Sequence, residues 1–194
     1  MGKHIIITEA RCSFPQLYSK SLNEGVSFNP GITIILEEKK HATEIAKIKA
    51  GMREAINSNP KLKKAPPEGD KLCLRKVNRD ELAYKNGNLM LKAGNPKPPL
   101  VLFPDGRTPM DEGNNLIFSG CYVNAKIEIW GQSNNWGKRI NAKIIAVQFC
   151  PKEADSFDGS YVSPEVAAEG FSSLEEDSTG GGFLEDENSD DLLG

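Results

Sequence analysis

One stretch of the chain, residues 121–130, alternates between an apolar face and a face that carries aromatic and charged side chains. Tyr122, Lys126 and Trp130 share the second face, because successive residues of a β-strand point to opposite sides. Aromatic rings stack on any nucleobase, and a lysine between them can meet a phosphate. The pattern is therefore typical of a sheet surface that binds single strands. Equally consistent with it is a loop or helix that covers Tyr122 and Trp130, so that both rings extend the core.

A second group of aromatic and basic residues favours the binding interpretation. Trp136 lies in a polar Gly/Asn segment that offers little core to fill, so we expect it to make contacts with a ligand. Arg11 with Phe14 and Tyr18 repeats the mixture more weakly, and there a packing role fits as well. The remaining candidates for phosphate contacts are basic residues on or beside predicted strands: Lys92, Lys138, Arg139 and Lys143.

Charge is divided by position along the chain. Residues 1–152 hold all 24 Lys and Arg and 14 of the 27 Asp and Glu, which gives a formal charge of +10. Residues 153–194 hold the other 13 acids and no base, which gives −13. A basic body suits a polyanionic ligand, and an acidic segment on the same chain suits control of access to it. We predict a binding domain over 1–152 and, because the rest lacks apolar periodicity, a disordered acidic tail over 153–194.

Signals for catalysis, metals and cofactors are weak. His4 and His41 lie on different predicted elements, and no phosphate-binding glycine motif is present, so we expect no enzyme and no cofactor. The four cysteines have no metal-ligand spacing, and Cys121 is predicted to be a small core residue. Three acids after residue 103 could resemble a two-metal nuclease site, although acids beside turn residues more often stabilise turns: Asp105, Asp111 and Glu112.

The elements that must position these side chains are mostly strands. Strands are predicted over 3–8, 31–36, 88–93, 100–103, 120–131 and 138–149, with Pro15 ending regular pairing in the first and a tight turn at Asn86-Gly87. The last two strands are joined by a loop over 132–137. One helix, over 43–57 with Thr43 as N-cap, precedes a polar connection over 61–70. A mainly β chain with one helix indicates an α+β or small-barrel fold, not a doubly wound sheet.

Several of these segments together resemble the replication-type single-stranded DNA-binding proteins of bacteriophages. The matching text is residues 10–18 (ARCSFPQLY), 32–56, 118–125 (FSGCYVNA) and 137–148, followed by the acidic end. The resemblance implies a five-stranded OB-fold barrel with an acidic C-terminal tail. It also implies that the protein coats and protects single-stranded DNA in replication, recombination and repair.

The same resemblance implies that the tail recruits a polymerase, helicase or primase. Related tails often end in an aromatic residue, whereas this chain ends in Leu-Leu-Gly, so docking is expected to use other tail residues: Phe183, Leu184, Asp190, Asp191, Leu192 and Leu193. A homodimer is a further expectation. Without a visible signal peptide or membrane span we expect the cytoplasm, that of the infected bacterium for a phage protein. The rival interpretation is a protein-interaction barrel with a solubility tail; the nuclease is the less favoured one.

Overall fold

Five strands close into a barrel in the computed structural model, which describes residues 4–18, 29–77 and 88–157. Its strands are β1 (His4–Gln16), β2 (Gly31–Leu36), β3 (Leu74–Lys76), β4 (Leu89–Gly94), β5 (Leu100–Leu102), β6 (Tyr122–Asn134) and β7 (Gly137–Cys150). The barrel runs β4-β2-β1-β6-β7, and a parallel pairing of β7 with β4 closes it. Strands β3 and β5 add to β4 and β7 at the edges. The predicted mainly β fold with a five-stranded OB-type barrel is confirmed.

The barrel interior is filled by the apolar faces of these strands. On β6 the side chains of Val123, Ala125 and Ile127 are buried, and they alternate with partly exposed residues as the sequence pattern predicts. Cys121 is 1% exposed, which confirms its prediction as a small core residue. Burial of these faces supplies the main stabilising free energy, because each fully buried aliphatic side chain contributes about 1.5–3 kcal/mol.

Helix α1 (Ala42–Asn57) covers one side of the barrel with Ile45 and Ile48 buried. It begins one residue earlier than predicted, so Thr43 lies in its first turn and is not the N-cap. The cause is a preceding turn in which the His41 N–H donates to the Glu37 carbonyl (2.9 Å). The buried His41 ring also fixes this turn, since its Nδ1 accepts from the Glu37 N–H at 3.0 Å and its Nε2 lies 3.2 Å from the Thr8 carbonyl.

A second helix, α2 (Pro60–Lys64), occupies part of the predicted polar connection. Pro60 stands in its first turn, and the Asn59 side chain accepts from the N–H groups of Lys61 and Leu62. Leu62 is fully buried against β6. The helix approaches so closely that a Cβ on Gly131 would lie 2.5 Å from Leu62 Cδ1, so this position requires glycine.

Strand β1 continues past the predicted break at Pro15 to Gln16. It does so through two irregularities in its pairing, one between Ile7 and Ala10 and one between Ser13 and Gln16. Glu9 (φ 49°) and Phe14 (φ 48°) have left-handed backbones at these points. A bulge tolerates proline and turns the side chain before it outward, which is why Phe14 is 63% exposed.

Strands β6 and β7 form a longer hairpin than predicted. Their pairing continues to Asn134 and Gly137, so the predicted loop over 132–137 shrinks to a turn of two residues, Asn135 and Trp136. Gly137 has φ 110°, a conformation that favours glycine. The predicted turn at Asn86-Gly87 and residues 158–194 of the predicted tail lie outside the described residues. No described helix has the length and apolar character of a membrane span.

Candidate nucleic-acid interface

A groove of about 710 Å³ runs across the outer surface of the barrel. It is bounded by the ends of β1 and β2, by β3 and β4, and by the hairpin of β6 and β7. The charged residues among its lining are four cations and one carboxylate: Lys71, Arg75, Lys92, Arg139 and Asp70. The excess of positive charge makes an anion the expected ligand of this groove.

Two aromatic side chains face the same groove. Trp130 on β6 is 44% exposed, and Phe14 stands at the β1 bulge. The surrounding polar surface is partly ordered by the protein itself, since Asn141 Nδ2 donates to Gln132 Oε1 at 3.1 Å. Exposed aromatic faces beside cations can bind both the base and the phosphate of a nucleotide.

Trp130 also borders a second groove on its other side. This groove has a volume of about 650 Å³ and lies between α1 and the strands β1 and β6. Its wall on α1 is formed by small residues, Ala50, Gly51 and Ala55, and its floor includes Ile6, which is 59% exposed. Trp130 therefore stands on a ridge between a cationic groove and a more apolar one.

Trp136 is placed at the tip of the β6–β7 hairpin and is 88% exposed. The Asn134 side chain holds the turn, accepting a hydrogen bond from the Trp136 N–H at 2.9 Å. Lys138 follows on β7, and Lys143 is paired across the ladder with Glu128. Lys126 is half-buried on the outer face of β6 opposite Ile6. These four predicted residues lie on the hairpin and its strands but do not line the cationic groove.

Tyr122, at the opposite end of β6, has a different environment. It is half-buried, and the cationic groups of Lys40, Arg11 and Lys152 lie 5.3, 5.7 and 5.8 Å from the centre of its ring. Lys152 also forms a 2.6 Å ion pair with Glu9. Hydrogen bonding to Lys152 and the lysine's charge lower the pKa of Glu9, and the same pair raises the pKa of Lys152.

Arg11 joins this end of the barrel to the first residues of the predicted tail. Its Nε donates to the Gly120 carbonyl at 2.7 Å, its Nη2 donates to the Asp155 carbonyl, and its guanidinium lies 4.3 Å from the centre of the Phe157 ring. The Phe157 N–H donates to the Ser119 carbonyl at 2.9 Å. We call these contacts of residues 155–157 the clasp. The boundary between barrel and tail at residue 152 stays a prediction, but residues 155–157 contact the barrel.

The clasp lies beside the cationic groove. Phe157 packs with Ile35, Val77 and Met90 on the outer face of the sheet. Strand pairing places Ile35 opposite both Arg11 and Met90, and it places Thr33, two residues away on β2, opposite Lys92. Because Thr33 and Lys92 line the groove, the chain after Phe157 departs about two residues along the strands from the groove.

Tyr18 lies apart from the groove, in a packing position. Its hydroxyl donates to the Met110 carbonyl at 2.9 Å, and the ring packs against the main core. Burial, together with the charges of Asp111 and Glu112, raises the pKa of Tyr18. A small cavity of about 210 Å³ beside it is separate from the groove.

The acids of the nuclease alternative stabilise turns. Asp105 Oδ1 accepts from the N–H groups of Arg107 and Thr108 at 2.9 Å, and these bonds with the Thr108 hydroxyl lower its pKa. Asp111 Oδ1 accepts from Asn114 Nδ2 at 2.6 Å. Within the described ranges, no three His, Cys, Asp or Glu side chains gather as potential metal ligands.

Of the predicted residues, the groove therefore collects Phe14, Trp130, Lys92 and Arg139. Two cations in it were missed by the sequence analysis, Lys71 and Arg75. Arg75 lies on a strand of three residues, which is too short to show the alternation that identifies an outward face. Its basic neighbours Lys71 and Lys76 were the only available signal.

With this geometry established, comparison with known proteins identifies the family. Residues 3–180 match the family of the Enterobacter phage Enc34 single-stranded DNA-binding protein. The chain belongs to this family. Protein p50 of Acyrthosiphon pisum secondary endosymbiont phage 1 is 30% identical over 180 residues, which cover 89% of this chain and 96% of that protein.

Solved structures agree with the family assignment. The single-stranded DNA-binding protein of bacteriophage Enc34 is 27% identical with a TM-score of 0.65, over 86% of this chain and 90% of that one. The same phage protein in complex with single-stranded DNA is 24% identical over the matched part (77% and 87% of the chains) and has the same fold (TM-score 0.64). Bacteriophage T7 gp2.5, a single-stranded DNA-binding protein, shares the fold at 14% identity and a TM-score of 0.53, over 94% and 100% of the chains. The family and these structures are named for DNA binding, which agrees with the prediction of a protein that is not an enzyme.

Proposed function

We propose that the protein binds single-stranded DNA in the cationic groove and coats and protects it during phage DNA replication, recombination and repair. The observation that carries the proposal is the exposed face of Trp130 in a groove with four cations and one carboxylate. Family membership supports the same ligand. A protein of this kind encoded by a phage acts in the cytoplasm of the infected bacterium.

Binding combines two contacts with each nucleotide. Bases stack on Trp130 and Phe14 in the groove, and on Trp136 where the strand passes the hairpin tip. Phosphates meet the basic side chains along this path: Lys92, Arg139, Lys126, Lys138 and Lys143. Single strands are preferred because a duplex offers no free base faces for stacking. Tyr122, Arg11 and Tyr18 are left out of the proposed interface because the protein's own groups engage them.

The affinity for a fluorescein-labelled dT oligonucleotide, measured by anisotropy at several salt concentrations, tests this proposal. The logarithm of the association constant should fall linearly with the logarithm of the salt concentration, by about 0.7 per phosphate neutralised. A duplex of the same length should bind more weakly. If the protein bound neither DNA, or bound a protein partner through this face instead, the proposal would be wrong.

The acidic tail is proposed to compete with DNA for the groove. Eleven of its 13 acids lie after Phe157, and the 37 residues that follow the clasp could span at most about 120 Å at 3.3 Å per residue. The start of this segment beside the groove supports the proposal. Deleting residues 158–194, which retains the clasp, should strengthen DNA binding at low salt, and the gain should vanish at high salt. An unchanged affinity at low salt would exclude competition.

Recruitment of a replication or recombination partner is proposed as the second role of the tail. The residues that carry it are the apolar and acidic ones near the end: Phe183, Leu184, Asp190, Asp191, Leu192 and Leu193. Replacing Leu192 and Leu193 with Ser should abolish stimulation of the phage polymerase, helicase or primase while DNA affinity is retained. Stimulation by the variant equal to that of the wild type would assign recruitment elsewhere. A homodimer is proposed as well, and light scattering of the free protein tests it.

A further inference from the structure

Arg75 has a buried polar atom without a partner. It lies in the middle of β3, paired with Met90 of β4, and its side chain lines the cationic groove. Its Nε is inaccessible to solvent, and no group in the described part of the chain accepts a hydrogen bond from it. A buried N–H of a charged group loses its interaction with water and gains nothing in return, unless a ligand supplies an acceptor.

The surroundings of Arg75 define the kind of acceptor. Lys92 on β4, whose N–H donates to the Cys73 carbonyl at 2.9 Å, is the diagonal neighbour of Arg75 on the outer face of the sheet. Lys71 lines the same groove, with Asp70 as the one carboxylate. A neutral carbonyl acceptor would leave this excess of positive charge uncompensated. An anionic group with two oxygen atoms matches both the charge and the planar fork of a guanidinium.

We propose that Arg75 binds a backbone phosphate of the single-stranded DNA in the groove, with Nε and one terminal nitrogen donating to two phosphate oxygens. This inference rests on the proposed function and adds a contact to it. Lys92 neutralises the same stretch of backbone as a point charge. Arg75 thereby fixes the register of the strand, so that the neighbouring bases face Phe14 and Trp130.

Substitution of Arg75 separates this role from a structural one. In Arg75→Met the stem is retained and the unpaired donor is removed, so the folded protein should melt at the same temperature as the wild type or at a higher one. Its affinity for the dT oligonucleotide should fall about tenfold or more, the usual effect of losing a hydrogen bond to a charged group. The salt dependence should decrease by about 0.7, one phosphate. Arg75→Lys should restore the salt dependence but little of the affinity, because lysine cannot form the paired contact.

Lys76 offers the matched control. It is the next residue on β3, carries the same charge, is exposed and does not line the groove. Lys76→Met should therefore leave the affinity within about twofold of the wild type, as distant surface substitutions do. Equal losses in Arg75→Met and Lys76→Met would reduce the effect to net charge and would overturn the inference.

Oligonucleotides with a single neutral methylphosphonate identify the group that Arg75 contacts. One position should weaken binding to the wild type and have no effect on binding to Arg75→Met, and the loss in the variant should be equal for dT, dC and dA oligonucleotides. A loss confined to one base would assign Arg75 to a base edge and contradict the phosphate contact. If Arg75→Met bound as tightly as the wild type while Trp130→Ala bound weakly, this inference would fail and the proposed function would stand. If wild-type protein bound no oligonucleotide, both would fail.

Discussion

Strand β6 carries an aromatic ring with basic neighbours at each end, and the two ends have different surroundings. At one end Trp130 is 44% exposed and faces a groove with four cations. At the other end Tyr122 is half-buried, and Arg11, Lys40 and Lys152 direct their charges at its ring. The clasp covers Arg11 beside it. One end leaves its binding groups available, whereas the other uses them within the protein.

The difference shows what an alternating pattern can and cannot predict. Alternation identifies the outward face, and both Tyr122 and Trp130 are on it. Whether an outward ring meets a ligand depends on which distant segments cover it. Here the cover comes from residues 155–157, more than 30 positions away along the chain from Tyr122. The same residue types therefore bind DNA at one end in our proposal and hold the chain at the other.

The largest expected effect comes from Trp130→Ala. Loss of a stacking surface should reduce the affinity for single-stranded DNA by about 1–3 kcal/mol, and the melting temperature should change little because the ring is half-exposed. Oligonucleotide anisotropy and thermal unfolding measure the two quantities. Trp130→Phe is the matched control and should retain part of the affinity. A large fall in stability without a fall in affinity would reverse the assignment of the two ends.

At the other end, Arg11→Met should act on stability. The substitution removes hydrogen bonds to the Gly120 and Asp155 carbonyls and the contact with the Phe157 ring. Bonds from a charged donor are worth about 1.5–3 kcal/mol, so the free energy of unfolding in urea should fall by about 2 kcal/mol. Residues 151–157 should become more accessible to proteases. If Arg11→Met instead lost DNA affinity as Trp130→Ala does, Arg11 would belong to the interface.

A smaller effect is expected for Tyr122→Leu, which keeps apolar volume and removes the aromatic face. Each cation–π contact at a partly exposed site contributes about 0.5–1 kcal/mol, so stability should fall by roughly 1 kcal/mol. DNA affinity should stay within about twofold of the wild-type value. Tyr122→Phe serves as the control, since it keeps the ring, and should unfold like the wild type. Strongly reduced affinity in Tyr122→Leu alone would place a base on this ring.

The smallest effect concerns the ion pair of Glu9 with Lys152. Hydrogen bonding to Lys152 lowers the pKa of Glu9 below its ordinary value of 4.5. A carboxyl with a depressed pKa in the folded state stabilises the protein above its unfolded pKa, and that contribution is lost as the pH falls through the folded pKa. Wild-type stability should therefore decline more steeply than that of Glu9→Gln below about pH 4.5. Urea unfolding at several pH values measures this, and parallel profiles would assign the decline to other groups.

Much of the fold was predictable because its long strands are periodic. The alternation over residues 121–130 and the β-branched run of β2 predicted the right elements, and Trp130, Lys92, Phe14 and Arg139 were correctly placed on outward surfaces near one another. Short elements escaped prediction for a physical reason. Helix α2 and strand β3 have five and three residues, so neither shows a period, and Leu62 and Arg75 give no local sign of their roles.

Long-range contacts were the other limit. The Arg11–Asp155 bond joins residues 144 positions apart, and neither residue differs locally from an exposed polar residue. Phe157 shows the same limit, because it was assigned to an aperiodic tail although it packs on Ile35 and Met90. Bulges at Glu9 and Phe14 likewise follow from pairing with two different neighbours and not from β-strand propensity.

The central claim is that DNA lies on the Trp130 end of β6. The chain has two tryptophans, so Trp136→Phe leaves Trp130 as the single indole fluorophore. Titration of this variant with a dT oligonucleotide should quench its fluorescence in a saturable manner, because a base stacks on the ring, and high salt should reverse the quenching. Tyr122→Leu in the same background should give the same curve. Fluorescence that is unchanged at saturating DNA, with binding verified by anisotropy, would contradict the account.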